Sequence, residues 1–180
     1  MALSSDATSR QLVKLREFST QLAQRLKEAP NKPTEPTRLA VRIGAESYLI
    51  EMALAGEIVS LPEIAPVPWT RPWYRGLANV RGRLIGVVDI MQLTGRDPLP
   101  PDQGQQVLVL GETLGVNAGI LVTRAFGIRN LKDLTLLEGA PPSIRPSWEQ
   151  ARYRDNDGLT MTELELRELA TSSNFAAIGI

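Results

Sequence analysis

The sequence feature that most constrains the fold is a series of short apolar segments with alternating polarity, separated by turn-forming residues. Between residues 39 and 52, apolar side chains recur at every second position on either side of Gly44, which is typical of a β-hairpin. Further short apolar runs follow at residues 57–60, 77–80, 84–90, 107–110, 118–123 and 160–164. The intervals between them are too short for the helical crossovers of βαβ units, so the pattern predicts a mostly antiparallel barrel or sandwich.

Helical patterns occur near the two ends of the chain. Residues 9–28 place apolar side chains at intervals of three and four, which predicts an amphipathic helix, and the three prolines in residues 30–36 predict an extended linker after it. Residues 165–171 predict a short helix that turns Leu166 and Leu169 inward. We therefore expect an N-terminal helix and Pro-rich linker over residues 1–37, followed by a globular domain over residues 38–180.

Two residue types are absent, and their absence excludes much of enzyme chemistry. The chain has no Cys, which excludes disulfides, thiolate nucleophiles and Cys-ligated zinc or iron–sulfur clusters. It has no His, which excludes Ser-His-Asp catalysis, phosphohistidine transfer and His-ligated metals. Twenty Lys and Arg balance twenty Asp and Glu, so no bulk charge favours nucleic acid or a membrane surface. Because no apolar segment suits a signal peptide or a membrane span, we expect a cytoplasmic protein. Because Cys and His are absent, we also expect that it is not an enzyme and needs neither metal nor cofactor.

Two motifs resemble ligand sites but fit turns and strands better. Residues 155–158, Asp-Asn-Asp-Gly, lack the spacing of a calcium loop, and Asp-Gly instead predicts a two-residue hairpin turn. Gly111, Gly115 and Gly119 lack the spacing and the following helix of a dinucleotide site, and they predict a turn and a close-packed strand position. No pair of carboxylates stands out as an acid–base couple.

The segment 61–89 is not fully explained by roles in turns and core. Three prolines at positions 66–72 stiffen a loop that carries Trp69 and Trp73, with Tyr74 next to it. The tryptophans fit a clamp over the end of a barrel. Arg81 is different, because an arginine held in a tight turn offers a rigid donor fork to a partner's carboxylates or carbonyls, and arginine is enriched at interfaces.

In order and spacing, residues 39–93 resemble the CheW family, adaptors that couple chemoreceptors to the histidine kinase CheA in bacterial chemotaxis. The matching features are the opening hairpin, Glu57-Ile58, the Pro-Trp loop, Gly76, the Asn-Val-Arg-Gly run at 79–82 and the strand that ends at Asp89. Residues 106–136 and 159–169 resemble the family's second set of strands and its closing strand and helix, so the resemblance covers about residues 38–171. The N-terminal helix, Pro-Trp loop and closing segment are most similar to the branch of the family that serves type IV pili and twitching motility.

The resemblance implies a fold of two small, intimately packed, five-stranded SH3-like barrels with no active site. It implies two partners, the cytoplasmic tip of a methyl-accepting chemoreceptor and the regulatory domain of a CheA-type histidine kinase. Carried over residue by residue, the expected receptor-facing residues are Glu57, Ile58, Gly76, Asn79 and Arg81. The kinase-binding surface is expected in the second subdomain, at about residues 106–136, without individual residues assigned.

Two residues, Gly86 and Val80, depart from the family pattern. A third residue, Asp89, is assigned to the fold. Gly86 stands where many CheW proteins have Pro in the strand that leads to Asp89, and Val80 stands where Leu is usual after Asn. We expect Gly86 to alter the packing of that strand. Asp89 is expected to stabilise the fold as a strand-end carboxylate rather than to bind a partner.

Other interpretations of the chain differ in how well the sequence supports them. A kinase fragment or a CheV-type adaptor would need a phosphoaccepting His and ATP-binding motifs, or a receiver domain, which 180 residues without His do not hold. A small-molecule-binding β-barrel would use Trp69, Trp73 and Tyr74 as an aromatic floor. The helix predicted at residues 9–28 fits either a docking or dimerising element or a helix packed on the barrel surface.

Overall fold

The alternating segments form strands in the structure, a computed structural model that describes residues 36–100, 104–138 and 145–180. The strands are β1 (Thr37–Ile43), β2 (Glu46–Glu51), β3 (Ala55–Ser60), β4 (Ile64–Ala65), β5 (Tyr74–Val80), β6 (Arg83–Val88), β7 (Gln106–Leu110), β8 (Ala118–Val122), β9 (Arg124–Asn130), β10 (Thr135–Leu137), β11 (Glu149–Arg154) and β12 (Thr160–Leu164). The helices are α1 (Ile90–Leu93), α2 (Leu166–Thr171) and α3 (Ser173–Ala176), and two 3-10 turns cover Glu112–Leu114 and Leu131–Asp133. The helix predicted over residues 9–28 and its linker up to residue 35 lie outside the described residues.

The strands form two sheets, which confirms the prediction of a mostly β fold built from two sets of strands. Sheet A has the order β10-β11-β12-β2-β1-β9, and sheet B has the order β3-β7-β8-β6-β5-β4. Each sheet has six strands rather than the expected five, and each includes one very short edge strand, β10 or β4. Within the described ranges neither sheet closes into a barrel. Most pairs are antiparallel as predicted, but β12 runs parallel to β2 and β8 runs parallel to β6.

The chain changes from sheet B to sheet A at Thr123. Before it, β7 and β8 pair with β3 and β6, and after it β9 pairs with β1. The Thr123 N–H donates to the Arg42 carbonyl at 2.8 Å, and Thr123 Oγ1 accepts from the Gly44 N–H at 3.0 Å. These bonds fix the crossing point to the first hairpin. The range 106–136, expected to be the second set of strands, is therefore divided between the two sheets.

The core has two parts because β1 is apolar on both faces. Leu39, Val41 and Ile43 join the main cluster, to which both sheets contribute, whereas Ala40 joins a smaller cluster with Leu49 and Met161. Successive side chains of a strand point to opposite faces of the sheet. A strand that is covered on both faces therefore carries apolar side chains at successive positions rather than at every second one. Full burial of each large aliphatic side chain contributes about 1.5–3 kcal/mol relative to exposure.

The closing hairpin and helix are present, but the predicted two-residue turn at Asp157-Gly158 is wrong, because Arg154 pairs with Thr160 and residues 155–159 form a five-residue loop with positive φ at Gly158. Asp155 Oδ1 accepts from the N–H groups of Asp157 at 3.0 Å and Leu159 at 2.8 Å, so its carboxylate stabilises the turn between β11 and β12. Leu166 and Leu169 of α2 are buried. After α2, Phe175 of α3 stacks on Trp73, with ring centroids 6.4 Å apart. This stacking fastens the last part of the chain to the Pro-Trp loop.

Candidate protein-interaction site

The candidate site is built on the hairpin between β5 and β6. Val80 pairs with Arg83, which leaves Arg81 and Gly82 as a two-residue loop, with φ values of 51° and 83°. Positive φ at both loop residues is the type I′ geometry that matches the twist of the flanking strands. Asn79 Oδ1 accepts from the Gly82 N–H at 2.8 Å and holds the loop closed. The turn predicted at Arg81-Gly82 is confirmed, and it presents the Arg81 side chain to solvent on a fixed backbone.

Arg81 and Glu57 are in direct contact. Arg81 Nε lies 2.8 Å from Glu57 Oε2, and the two side chains are 79% and 38% exposed. An ion pair this exposed contributes at most about 1 kcal/mol to stability. The pair instead orients the Arg81 side chain. It connects the Arg81 loop to β3, which is the edge strand of sheet B farther from β5. The other guanidinium nitrogens of Arg81 have no partner among the described residues and can donate to a bound protein.

Ile58 and Gly76, also expected at the receptor-facing surface, are placed differently. Ile58 is half-buried in β3 and packs against the main core. Gly76 is buried, with φ of 130°, and a Cβ at this position would collide with the backbone of Ala65 in β4. The close approach that Gly76 permits is therefore between two strands of the chain itself. Of the five expected residues, Glu57, Asn79 and Arg81 offer polar groups at or near the surface.

An apolar cavity of about 350 Å³ adjoins the same hairpin. Its lining comes from sheet B, the loop before β8, α2, α3 and the segment after α3, namely Tyr74, Leu77, Leu84, Gly86, Val88, Val116, Asn117, Ala118, Ala170, Phe175, Ala176 and Ile178. Leu84, three residues after Arg81, is 60% exposed at this place. Arg83 donates to Glu112 at 2.9 Å and to Asn117 at 3.4 Å, so a guanidinium stands at the rim of the cavity. Sequence reasoning did not find this cavity, because its wall depends on how α3 packs.

Gly86 shapes the cavity. A Cβ at Gly86 would lie 2.8 Å from Cε2 of Tyr74, so the tyrosine ring occupies the space that a side chain at position 86 would fill. Burial raises the pKa of Tyr74 above its ordinary value. Glycine at this position leaves room for the Tyr74 ring against β6. The altered packing of this strand relative to family members with Pro stays a prediction.

Asp89 and the three aromatic residues have separate structural settings. Asp89 is fully buried, caps α1 by accepting from the N–H groups of Met91 and Gln92, and accepts from that of Leu99 at 3.0 Å, which agrees with the expected role in the fold. Trp73 is only 6% exposed and meets Tyr74 edge-on at 6.3 Å, whereas Trp69 is 82% exposed. The two tryptophan rings therefore do not line one floor, as the ligand-binding alternative requires.

A partly buried polar network that the sequence did not reveal joins distant parts of the chain. The Tyr48 hydroxyl oxygen lies 2.8 Å from a carboxylate oxygen of Glu46 and 3.0 Å from one of Glu149, so its single proton is donated to one of the two, and Arg96 donates to both Glu149 oxygens at 3.0 and 3.2 Å. Burial, followed by the negative charge of Glu149, raises the pKa of Tyr48 well above its ordinary value. These polar groups pair with one another, and so the network connects β2, the segment after α1 and β11.

In the described part of the chain, Asp and Glu side chains nowhere gather in a group of three that could hold a metal ion. None of its helices is long and apolar enough to cross a membrane.

Comparison with known proteins gives consistent matches. The family model of the CheW-like domain matches residues 37–173. The chain is 33% identical to Protein PilI of Pseudomonas aeruginosa over 104 residues, which is 58% of each protein, and 32% identical to Chemotaxis protein CheW of Thermotoga maritima over 101 residues, which is 54% of this chain and 66% of that protein. It thus spans less than two thirds of either relative. The crystal structure of scaffolding protein TtCheW from Thermoanaerobacter tengcongensis superposes with a TM-score of 0.64 at 18% identity, over 78% of this chain and 96% of that one, and it supports the fold.

Proposed function

The chain belongs to the CheW-like family, and from this premise we propose that it is a non-catalytic cytoplasmic adaptor that couples chemoreceptors to a CheA-type histidine kinase. The match to PilI supports the narrower proposal that the pathway controls type IV pili and twitching motility. The proposed partners are the cytoplasmic tip of a chemoreceptor and the regulatory domain of the kinase.

The observation that carries the proposal is the combination of Arg81, Leu84 and the cavity on one hairpin. A helical receptor tip presents polar side chains around an apolar stripe, and it fits an apolar groove rimmed by directional donors. Leu84 and the cavity supply the apolar part, the Arg83 guanidinium stands at the rim beside Asn117, and Arg81 offers a further guanidinium at the tip of the same hairpin. Glu57 holds Arg81 in position, so that less side-chain freedom is lost when a partner binds.

The proposed kinase surface, at about residues 106–136, narrows to the parts that the fold leaves accessible. The strands β7 and β8 are mostly buried within sheet B. Ile128 of β9 and Leu136 of β10 are 57% and 55% exposed. These two side chains are the apolar contacts that we propose within this range.

An adaptor without chemistry can change kinase activity only by binding the active and inactive arrangements with different affinity. In the proposed mechanism, the receptor shifts the Arg81 hairpin or its groove, and the kinase senses the change through the packed sheets. The free energy available to shift the kinase between its active and inactive arrangements is the difference between the adaptor's binding free energies for the two. An adaptor that binds both arrangements equally well leaves their populations unchanged.

The test is capture of the two partners by the full chain carrying Arg81→Glu. We expect binding of the receptor's cytoplasmic fragment to fall at least about tenfold, since the substitution reverses the charge at the tip of the hairpin and repels Glu57. Binding of the kinase regulatory domain, measured by calorimetry at physiological salt, is expected to be unchanged. The matched control is Arg167→Glu, at an exposed arginine on α2. Undiminished receptor capture would contradict the assigned surface, and no kinase binding by the folded wild-type chain would contradict the adaptor function.

A further inference from the structure

One wall of the apolar cavity is a single stretch of chain, formed by α3 and the residues after it. Phe175, Ala176 and Ile178 of this stretch line the apolar cavity. Asn174 and Ala177 of the same stretch line a different hollow, which is polar and has a volume of about 290 Å³. One thickness of chain therefore separates the cavity assigned to the receptor from a second depression in the surface.

Little apolar burial holds this wall in place. The helix α3 has four residues, and a helix this short is not stable by itself. Phe175 is buried and stacks on Trp73, but Ala176 and Ala177 are exposed and Ile178 is only half-buried. The position of Ile178, and with it the shape of the cavity, therefore depends on hydrogen bonds to a neighbouring part of the chain.

The loop of residues 66–72 supplies these hydrogen bonds. Thr70 forms an antiparallel β-bridge with Gly179, and the Ile180 N–H donates to the Trp69 carbonyl at 3.1 Å. The wall of the cavity is thus tied to this loop on the side where the chain continues past Ile178.

Arg71 adds the closest contacts between the loop and the wall. Its backbone N–H donates to the Ile178 carbonyl at 2.8 Å, and its side-chain Nε donates to the Ala177 carbonyl at 2.9 Å. A hydrogen bond from a charged guanidinium is stronger than one from a neutral donor. Arg71 lines the polar hollow and is not part of the lining of the apolar cavity. It therefore acts on the wall from the side that faces away from the cavity.

We propose that Arg71 is a positioning residue for the receptor groove, which holds Ile178 in the cavity wall and so raises receptor affinity without touching the receptor. A wall that is ordered before binding loses less conformational freedom when a receptor helix docks. The inference rests on the proposed function, since it assigns the receptor to the cavity beside Leu84.

The first test is calorimetric titration of the full chain carrying Arg71→Gln, which removes the charged donor and leaves the backbone bond to Ile178. We expect the receptor's cytoplasmic fragment to bind about three- to tenfold more weakly and the kinase regulatory domain to bind with unchanged affinity. We also expect the Ile180 amide to exchange its hydrogen faster, because the wall then opens more often. The matched control is Arg154→Gln, at an exposed arginine of β11 in sheet A, which removes the same charge and is expected to change none of these quantities.

The second test restores the contact by a different chemical bond. Residues that face each other in an antiparallel bridge have Cα atoms about 4.5–5.5 Å apart, which a disulfide spans. A Cβ at Gly179 would meet no described atom within 4 Å, and the chain has no cysteine of its own, so Thr70→Cys with Gly179→Cys allows a single disulfide. In the Arg71→Gln background, we expect the oxidised pair to return receptor affinity to near the wild-type value and reduction to remove the gain. With Arg71 kept, the same pair is expected to bind the receptor like the wild type in both redox states.

Each outcome separates this inference from the adaptor function. Unchanged receptor affinity in Arg71→Gln overturns the inference, whether or not the Ile180 amide exchanges faster, and leaves the adaptor function standing. Weaker binding that the disulfide does not restore also overturns it, because Arg71 would then contact the receptor directly. A pair of cysteines that cannot be oxidised in the folded chain would contradict the bridge on which the inference depends.

Two outcomes for the wild-type chain bear on the proposed function itself. If the folded wild-type chain binds the kinase regulatory domain but not the receptor fragment, the receptor assignment fails and the role of Arg71 fails with it. If it binds neither probe, the adaptor function fails as a whole.

Discussion

Replacing Gly76 with Ala is expected to destabilise the domain far more than the same change at an exposed glycine. At Gly76 the φ of 130° strains any residue with a Cβ, and the new Cβ would lie 2.8 Å from the Ala65 carbonyl carbon and 3.0 Å from Ile64 Cγ2. Strain of this kind costs about 1–3 kcal/mol, and forcing extra volume against a backbone costs about 1–3 kcal/mol more. We therefore expect a total loss of roughly 2–6 kcal/mol, which lowers the melting temperature by several to about 20 °C.

The matched control is Gly82→Ala. Gly82 also has positive φ, 83°, but a Cβ there would meet no described atom within 4 Å, so backbone strain alone remains, at about 1–2 kcal/mol. Urea unfolding followed by the fluorescence of the buried Trp73 and Trp148 measures both changes. Equal losses in the two variants would refute the reasoning, because the contact with β4 would then contribute nothing. Since Gly76 is buried, we also expect the folded fraction of Gly76→Ala to bind the receptor fragment with wild-type affinity.

Two further predictions concern buried polar groups. The pKa of Tyr48 is raised in the folded state, so above its ordinary value of 10.0 the unfolded chain loses a proton that the folded chain keeps, and stability falls as pH rises. Tyr48→Phe is expected to make the decline in unfolding free energy above about pH 10 shallower, and a decline as steep as in the wild type would contradict this. Asp89→Asn is expected to cost about 1–3 kcal/mol in urea unfolding, because the amide nitrogen cannot accept the bonds that the carboxylate accepts from Met91 and Leu99. Wild-type stability of that variant would show that these bonds are dispensable.

Local patterns in the sequence predicted the local parts of the fold. Alternating polarity located most of the strands, and Arg81-Gly82 located a two-residue hairpin turn, because these features depend on neighbouring residues alone. Asp157-Gly158 located a connection between strands but not its length, since the loop there covers residues 155–159. The arginine in the tight turn was likewise identified from its own segment. The expected roles of Ile58 and Gly76 came from resemblance, and burial placed both partly or wholly inside the domain.

Features that depend on distant residues were not predictable in the same way. Periodicity does not specify which strands pair, so the parallel pairs and the change of sheet at Thr123 were not anticipated. The polar network of Tyr48, Arg96 and Glu149 joins three separate segments, and no pattern within any one segment predicts the contact. The exposure of Trp69 and the burial of Trp73 depend on α3 and the segment after it, so that two tryptophans in one loop could not be told apart from the sequence.

The parallel pairing of β12 with β2 has a consequence for the order in which the domain is made. The pairing places Arg38 beside Glu163, 125 residues further along the chain, at a side-chain distance of 2.9 Å. During synthesis, the β2 edge of the first hairpin therefore stays unpaired until β12, which ends at residue 164, has left the ribosome. Topologies with such distant pairings fold slowly and expose unpaired strands to aggregation in the meantime. An incomplete chain would lack a finished sheet A, and we expect chaperones to hold it during that interval.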